Sequence, residues 1–360
     1  MPVSILIAGG GTGGHLYPGI AVARALVAAA PDTRVTFVGT ASGLEVTAVP
    51  REKLPLDLIR SAGLKGTSLA SFLRGLALLP ASALDAWRVL SRRAPAVVVG
   101  VGGYSSGPVV ALAALRGIPT MVLEQNAAPG LTNRLLAWVV RSAAVTFEES
   151  VPHFGAKAFV SGNPVRPEFF DRHPRPASDR FRVLVFGGSQ GAHAINLAMA
   201  AAAPELARRS PQPLVTHQTG ARDVEWMREA YRQAGLDARV EAFLHDMHLE
   251  MRAADVIVCR AGATTLAELA AAGKPAVLVP LPTATDDHQR VNARAVAAHG
   301  AAIVVEQRDL DGGRLAREID VLAHDTSARE RMGLAASTLA RPDAAARIAA
   351  RILELAGGRA

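Results

Sequence analysis

The stretch Gly9-Gly10-Gly11-Thr12-Gly13-Gly14-His15 constrains this chain more than any other. It follows the apolar run Val3–Ala8, which reads as a strand buried on both faces. After it come Pro18 and an Ala/Val/Leu-rich segment to Ala30, with Ile20, Ala23, Leu26 and Val27 at helical spacing. Strand, glycine turn and helix in this order let a backbone approach a ligand closely and aim free N–H groups at an anion or a polar oxygen. Gly9, Gly11 and Gly14 also satisfy the dinucleotide spacing G-x-G-x-x-G. That fingerprint needs an acid at the tip of the second strand, about 20 residues on. Here the strand ends Phe37-Val38-Gly39-Thr40, and His15 closes the turn, so a dinucleotide fits poorly.

The first half alternates strands and helices. Strands are expected at Val3–Ala8, Arg34–Gly39, Leu56–Arg60, Ala96–Val101, Thr120–Leu123 and Ala143–Phe147. Such alternation predicts a doubly wound parallel sheet, which binds ligands at the carboxyl ends of its strands. His15, Gly102-Gly103-Tyr104 and Glu124-Gln125-Asn126 stand at those ends. Turn residues Ser161–Pro167 and the polar stretch His173–Arg180 form a linker. The pattern then restarts. Phe181–Phe186 is a strand, Gly187-Gly188-Ser189-Gln190-Gly191 a glycine turn, and Ala192 opens a helix. Further strands are expected at Leu214–Gln218, Arg239–Phe243, Asp255–Cys259, Ala276–Val279 and Ala302–Val305, with three helices closing the chain.

The net charge of +7 comes largely from arginine, which suits acidic or phosphorylated substrates or an anionic membrane. No basic block interleaved with aromatics appears, so no nucleic acid is expected as a partner. The lone Cys259 allows no internal disulfide, and the N-terminus reads as the first strand rather than as a signal peptide. No metal-ligand spacing is present: Asp309-Leu310-Asp311 reads as a turn and helix cap, and Asp286-Asp287-His288 as a helix start. Gly187–Gly191 matches the G-x-S-x-G of hydrolases, but equally a helix N-terminus that receives phosphate.

The run Arg260 to Leu269 carries a glycine turn, two threonines and Glu268 about one turn into a helix. A carboxylate there can accept both hydroxyls of a ribose, or simply favour its helix N-terminus. Ser68 to Leu90 holds Leu69, Phe72, Leu73, Leu76, Leu79, Leu84 and Trp87, with Pro80 expected to break the helix and Lys65, Arg74, Arg88, Arg92 and Arg93 around it. This is either a core helix pair or an apolar patch with a basic rim resting on anionic lipid.

Seven motifs in register then carry a resemblance: Gly10–His15, Gly102–Pro108, Glu124–Ala127, Gly130–Asn133, Gly162–Arg166, Gly187–Gly191 and Ala263–Glu268. In this order they resemble the MurG family, the bacterial N-acetylglucosaminyltransferases that convert lipid I to lipid II in peptidoglycan synthesis. The resemblance implies an α/β fold of the GT-B glycosyltransferase type, two Rossmann-like domains facing a cleft. Residues 1–162 would form the N-terminal acceptor- and membrane-facing domain and 163–340 the domain binding UDP-N-acetylglucosamine. Residues 341–360 would form a helix packing back on the first domain. The reaction would be an inverting transfer to the 4-hydroxyl of undecaprenyl-diphospho-muramoyl-pentapeptide, with no cofactor and no metal. The enzyme would be peripheral, on the cytoplasmic face of the bacterial cell membrane.

Carried over residue by residue, the resemblance implies His15 as the base, with Glu124 as rival or partner. His15 could instead fix the glycine loops or hold the acceptor diphosphate. Ser189 and Arg166 would meet the charge of the leaving UDP. Leu244, Ala263, Thr264, Thr265, Leu266 and Glu268 would surround uracil and ribose. Gln289 and Asn292 would read sugar hydroxyls, joined by Asn126, and Thr12, Gly13 and Gly14 would border both substrates. Gly103, Tyr104 and Asn133 would contact the acceptor. The chain departs from the family at Ala261-Gly262, where a Ser-Gly pair is common, and His288 beside Gln289 leaves the sugar-reading register open by one residue. A different nucleotide-sugar transferase on the same fold, or a sugar-nucleotide-binding protein without turnover, are the other functions these motifs allow.

Overall fold

A computed structural model describes residues 3–61, 69–171, 180–188 and 190–358, with side chains for all of these but 69–77. The chain forms two compact units, one of residues 1–165 with 341–360 and one of residues 166–340.

The first unit holds strands β1 (Ser4–Gly9), β2 (Arg34–Gly39), β3 (Leu56–Leu58), β4 (Val97–Gly102), β5 (Thr120–Glu124), β6 (Ser142–Val145) and β7 (Ala158–Val160). Its helices are α1 (Gly13–Ala29), α2 (Glu45–Arg51), α3 (Leu69–Arg93), α4 (Ser106–Leu115), α5 (Leu131–Leu136) and α6 (Val151–Phe154). All strand pairs are parallel, in the order β3-β2-β1-β4-β5-β6-β7. The order reverses between β1 and β4, so the turns after these two strands open side by side at the switch point. Side-chain alternation sorts the sheet's two faces. Ile5, Ile7, Phe37, Val97, Val99 and Val101 pack under α1 and under the last helix of the chain, Ala344–Gly357, through Ile348 and Ile352. Leu6, Ala8, Val38, Val98 and Val122 face α3 and α4 through Ala86, Leu90, Val110 and Ala113.

The second unit repeats the plan with β8 (Arg182–Phe186), β9 (Leu214–Gln218), β10 (Ala238–Glu241), β11 (Val256–Cys259), β12 (Ala276–Leu278) and β13 (Ala302–Val304). Its helices are α7 (His193–Ala207), α8 (Val224–Ala234), α9 (Met247–Ala253), α10 (Ala263–Ala272), α11 (His288–Ala298), α12 (Gly312–His324) and α13 (Thr326–Thr338). Its parallel sheet runs β10-β9-β8-β11-β12-β13, with the switch point between β8 and β11.

Pro80 does not break its helix. α3 runs unbroken from Leu69 to Arg93, and Pro80 lies on its exposed side, where water can take the carbonyl left without an N–H. Lys65 lies outside the described residues, as do the side chains of Leu69, Phe72, Leu73, Arg74 and Leu76. Among the described residues no helix is long and apolar enough to cross a membrane.

Candidate functional site

In the first unit the site is built on the turn between β1 and α1. Gly9, Gly10 and Gly11 have φ of +145°, +149° and +84°, which L side chains rarely adopt. The turn runs against the end of β4, where the Gly10 N–H donates to the Gly102 carbonyl at 3.2 Å. α1 begins one residue after Thr12, so His15 lies in its first turn, half-buried. A Cβ on Gly102 would stand 2.6 Å from His15 Nδ1, so glycine there lets the ring lie on the end of β4.

His15 Nδ1 is 3.1 Å from Gln125 Oε1, and Gln125 Nε2 donates to the Val101 carbonyl at 3.1 Å. A carbonyl only accepts, so the NH2 of Gln125 must face Val101 and its oxygen must face the ring. Nδ1 therefore carries the proton, and the neutral imidazole has its lone pair on Nε2. The side chain that meets His15 at Nδ1 is thus Gln125, the chain neighbour of Glu124.

Glu124 itself is buried at the tip of β5. Oε1 accepts from the Asn126 backbone N–H at 2.9 Å and from Asn126 Nδ2 at 3.3 Å. Oε2 accepts from the Gly130 N–H at 3.2 Å and from Asn133 Nδ2 at 2.8 Å. Burial pushes its carboxyl above the ordinary range, and the hydrogen bonds from Asn126, Asn133 and Gly130 oppose that rise. Asn133 is buried too, with Nδ2 also donating to the Leu123 carbonyl at 3.0 Å. Both residues tie the loop between β5 and α5 to the sheet. Thr12 and Gly14 are exposed, and Gly13 and Asn126 half-buried. Gly103 has φ +82°, and a Cβ there would collide with the Gly10 carbonyl. Tyr104 is exposed, and its carbonyl accepts from Ser61 Oγ at 2.8 Å.

In the second unit the glycine turn leads from β8 to α7. Gly191 (φ +73°) and Gly220 (φ +81°) interlock, since a Cβ on either would strike the other turn's backbone at Thr219 or Gln190. Ser189 lies outside the described residues. Gln218, buried at the tip of β9, donates from Nε2 to the Gly188 carbonyl at 2.7 Å and accepts the Leu244 N–H on Oε1 at 3.0 Å. One side chain thus joins the glycine turn to the buried Leu244 after β10. Beneath it runs a polar chain: Tyr231 Oη to His217 Nδ1 (2.7 Å), His217 Nε2 to Asn196 Oδ1 (3.1 Å), Asn196 Nδ2 to Asp223 Oδ2 (2.8 Å) and Asp223 Oδ2 to His193 Nδ1 (2.7 Å). Burial drives His217 down to about 3, so it stays neutral.

At the other side of the switch point, α10 starts at Ala263. Thr264 and Thr265 are half-buried, Ala263 and Leu266 buried. Glu268 keeps part of its surface open, yet desolvation pushes its carboxyl up to about 7, against the opposing charge of Arg166. The exposed Arg166 guanidinium lies 5.0 Å from the Phe169 ring centroid. Asp286 and Asp287 enter α11 with φ of +54° and +56°, a strained entry for non-glycine residues. Gln289 Oε1 accepts the Leu281 N–H at 3.0 Å, which commits the acceptor end of that amide and leaves a donor end. Asn292 is fully buried and donates from Nδ2 to the Ala261 carbonyl at 3.3 Å, so it ties α11 to the turn after β11. Among the described residues no cluster of His, Cys, Asp or Glu could hold a metal.

Sequence reasoning missed Glu45, which lies behind the first glycine turn, and Gln218 and Arg260. Arg260 is buried and donates to the carbonyls of Val279 (3.0 Å) and Pro280 (3.2 Å) and to Gln307 Oε1 (2.8 Å). The one trace of Glu45 in the sequence is that Gly39 and Gly43 stand just before this acid, which opens α2.

Two family models match the chain: the glycosyltransferase family 28 N-terminal domain over residues 5–145 and the family's C-terminal domain over residues 182–348. Curated relatives match nearly end to end. One from Anaeromyxobacter sp. (strain K), named UDP-N-acetylglucosamine--N-acetylmuramyl-(pentapeptide) pyrophosphoryl-undecaprenol N-acetylglucosamine transferase, is 50% identical over 98% of this chain and 92% of its own length. Another of the same name, from Myxococcus xanthus (strain DK1622), is 46% identical over 96% of this chain and 91% of its own. The crystal structure of Acinetobacter baumannii MurG superposes with a TM-score of 0.82 at 30% identity, covering 98% of this chain and all of that one. The calicheamicin glycosyltransferase CalG4, at 18% identity and a TM-score of 0.69 over 99% of both chains, shares the fold. The chain belongs to glycosyltransferase family 28.

Proposed function

We propose that this protein transfers N-acetylglucosamine from UDP-N-acetylglucosamine to the 4-hydroxyl of the muramoyl sugar of lipid I, giving lipid II and UDP with inversion at the anomeric carbon. The observation that carries this reading is the 50% identity, over 98% of the chain, to a relative named for that transfer. The donor is assigned to the second unit and the acceptor to the first.

His15 is the base of this mechanism. Its Nδ1–H is committed to Gln125, so the Nε2 lone pair takes the proton of the acceptor hydroxyl. The oxygen attacks C1 of the donor sugar while the bond from C1 to the diphosphate oxygen breaks, and its electron pair leaves with UDP. Charge develops on that oxygen. The amides at the N-terminus of α7 and the Arg166 guanidinium are the donors assigned to it, with Ser189 as a third. Glu268 accepts the ribose hydroxyls, Leu244, Ala263, Thr264, Thr265 and Leu266 enclose uracil and ribose, and the amide donor of Gln289 reads the sugar. Asn292 supports that reading from below, through Ala261.

Four N–H donors on its two oxygens suit Glu124 to fixing the Asn126 loop rather than to taking a proton, and Asn133 acts with it. Thr12, Gly13, Gly14 and Asn126 border the substrates, and Gly103 and Tyr104 flank the acceptor. The polyprenyl tail of such an acceptor requires work at a membrane surface. Leu84, Trp87, Leu135, Trp138 and Val139 are exposed, with Arg88 and Arg92 also exposed on α3, which supports a peripheral site on an anionic cytoplasmic leaflet.

The test is the product itself. Incubation with UDP-N-acetylglucosamine and a short-chain lipid I analogue is expected to give one product heavier by one N-acetylhexosamine, with the large anomeric proton coupling of a β-linkage. An α-linked product, or free N-acetylglucosamine alone, contradicts the reading.

A further inference from the structure

Behind the glycine turn of the first unit lies a carboxylate that the mechanism above does not use. Glu45 opens α2 and is 1% exposed. Its Oε2 accepts the Gly11 N–H at 2.7 Å. Its Oε1 accepts the Thr40 N–H at 2.8 Å and the Thr40 hydroxyl at 3.1 Å. Gly10, Gly39 and Gly43 make room for it, because a Cβ on any of the three would collide with the Glu45 side chain. Three segments, the turn after β1, the end of β2 and the loop before α2, are thus built around one buried anion. Such burial is tolerated only when donors satisfy both oxygens, so the carboxylate and the turn hold each other in place.

We propose that Glu45 is a positioning residue for His15, and that it supplies from within the chain the anion that a glycine turn of this kind otherwise takes from a ligand. The proposal rests on reading His15 as the base. His15 is the third residue of α1, so its place follows from where the helix starts. That start is pinned on one side by Gly10 N–H on the Gly102 carbonyl and on the other by Gly11 N–H on Glu45. Gln125 then fixes the rotation of the ring. With the Gly11 N–H bonded to Glu45, this turn does not offer that amide to a diphosphate, which distinguishes it from the dinucleotide turn whose spacing it shares.

Glu45→Gln tests this directly. Both oxygens accept backbone N–H groups, so the NH2 of glutamine faces a donor whichever way it turns. Gly43→Ala presses on the same carboxylate while leaving every residue assigned to the substrates intact, and it carries the prediction if Glu45→Gln fails to fold. In each variant we expect kcat with the lipid I analogue to fall by about tenfold or more, since a misplacement of about 1 Å costs on the order of 100-fold. KM for UDP-N-acetylglucosamine should rise by a smaller factor than kcat falls, because the donor is assigned mainly to the other unit and meets this turn only at Thr12, Gly13 and Gly14. Amide exchange in residues 10–16 should quicken while that in residues 214–218 does not.

A lower melting temperature with kcat unchanged would reduce Glu45 to a stabilising residue and overturn the proposal. So would unchanged exchange in residues 10–16. Absence of transfer by the wild-type protein would instead overturn the proposed function, and the exchange data would still decide whether Glu45 fixes the turn.

Discussion

A single proton on His15 distinguishes a base from a mere loop anchor, and a neighbouring amide decides where that proton sits. Gln125 faces Val101 with its donors and His15 with its oxygen, which leaves Nε2 as the basic nitrogen. The sequence marks His15 and Glu124 equally well as strand-tip residues. The folded chain shows where their surroundings differ: the four donors around Glu124 come from Asn126, two residues on, and from Gly130 and Asn133, six and nine residues on, and a strand-tip position alone does not reveal them. Glu268 carries a pH prediction. Burial raises its carboxyl to about 7 in the free protein. Ribose hydroxyls donate to the ionised form, so the nucleotide binds most tightly above that pH. Affinity falls by up to about tenfold per pH unit as the carboxyl is protonated below it. Calorimetry with UDP between about pH 6 and about pH 8 should show this loss, and Glu268→Gln should bind more weakly but with a flat profile.

Elements were legible where periodicity was strong. Alternating apolar runs and glycine turns pointed to both parallel sheets and to the restart after the linker, whereas the order of strands depends on pairings distant in sequence that no local pattern contains. The edge strand β7 went unread because Ala158–Val160 runs directly into the turn residues that begin at Ser161. Pro80 misled because its effect depends on which side of the helix it occupies, and that side is exposed. Of the apolar stretch from Ser68 to Leu90, the described side chains divide: Ala86, Val89 and Leu90 enter the core, while Leu84 and Trp87 face out. α5 and the turn after it add Leu135 and Trp138, the latter 85% exposed. Replacing both exposed residues, Leu135→Asp with Trp138→Asp, should weaken binding to vesicles containing anionic phospholipid by about tenfold or more, because each buried apolar side chain contributes roughly 1.5–3 kcal/mol. Co-sedimentation measures this. Equal binding by a folded double variant would remove this surface from the membrane contact.

At the scale of the molecule, two units of one plan divide the work proposed for them, each with its glycine turn at the switch point of a parallel sheet. The resemblance to known transferases was readable because seven short motifs fall in register across both halves, and the family models cover the same halves. What local sequence patterns reveal least is the support beneath those motifs: Glu45 under the first turn, Gln218 and the His217–Asn196–Asp223 chain under the second. The transfer itself is the decisive measurement. Purified wild-type and His15→Ala proteins would be given UDP-N-acetylglucosamine and a short-chain lipid I analogue, with UDP release and donor affinity measured in both. The wild type is expected to give stoichiometric UDP and disaccharide product, and His15→Ala a rate reduced by about 10²- to 10⁴-fold with donor affinity within about twofold. Transfer at an undiminished rate in His15→Ala would contradict the role of His15 as the base.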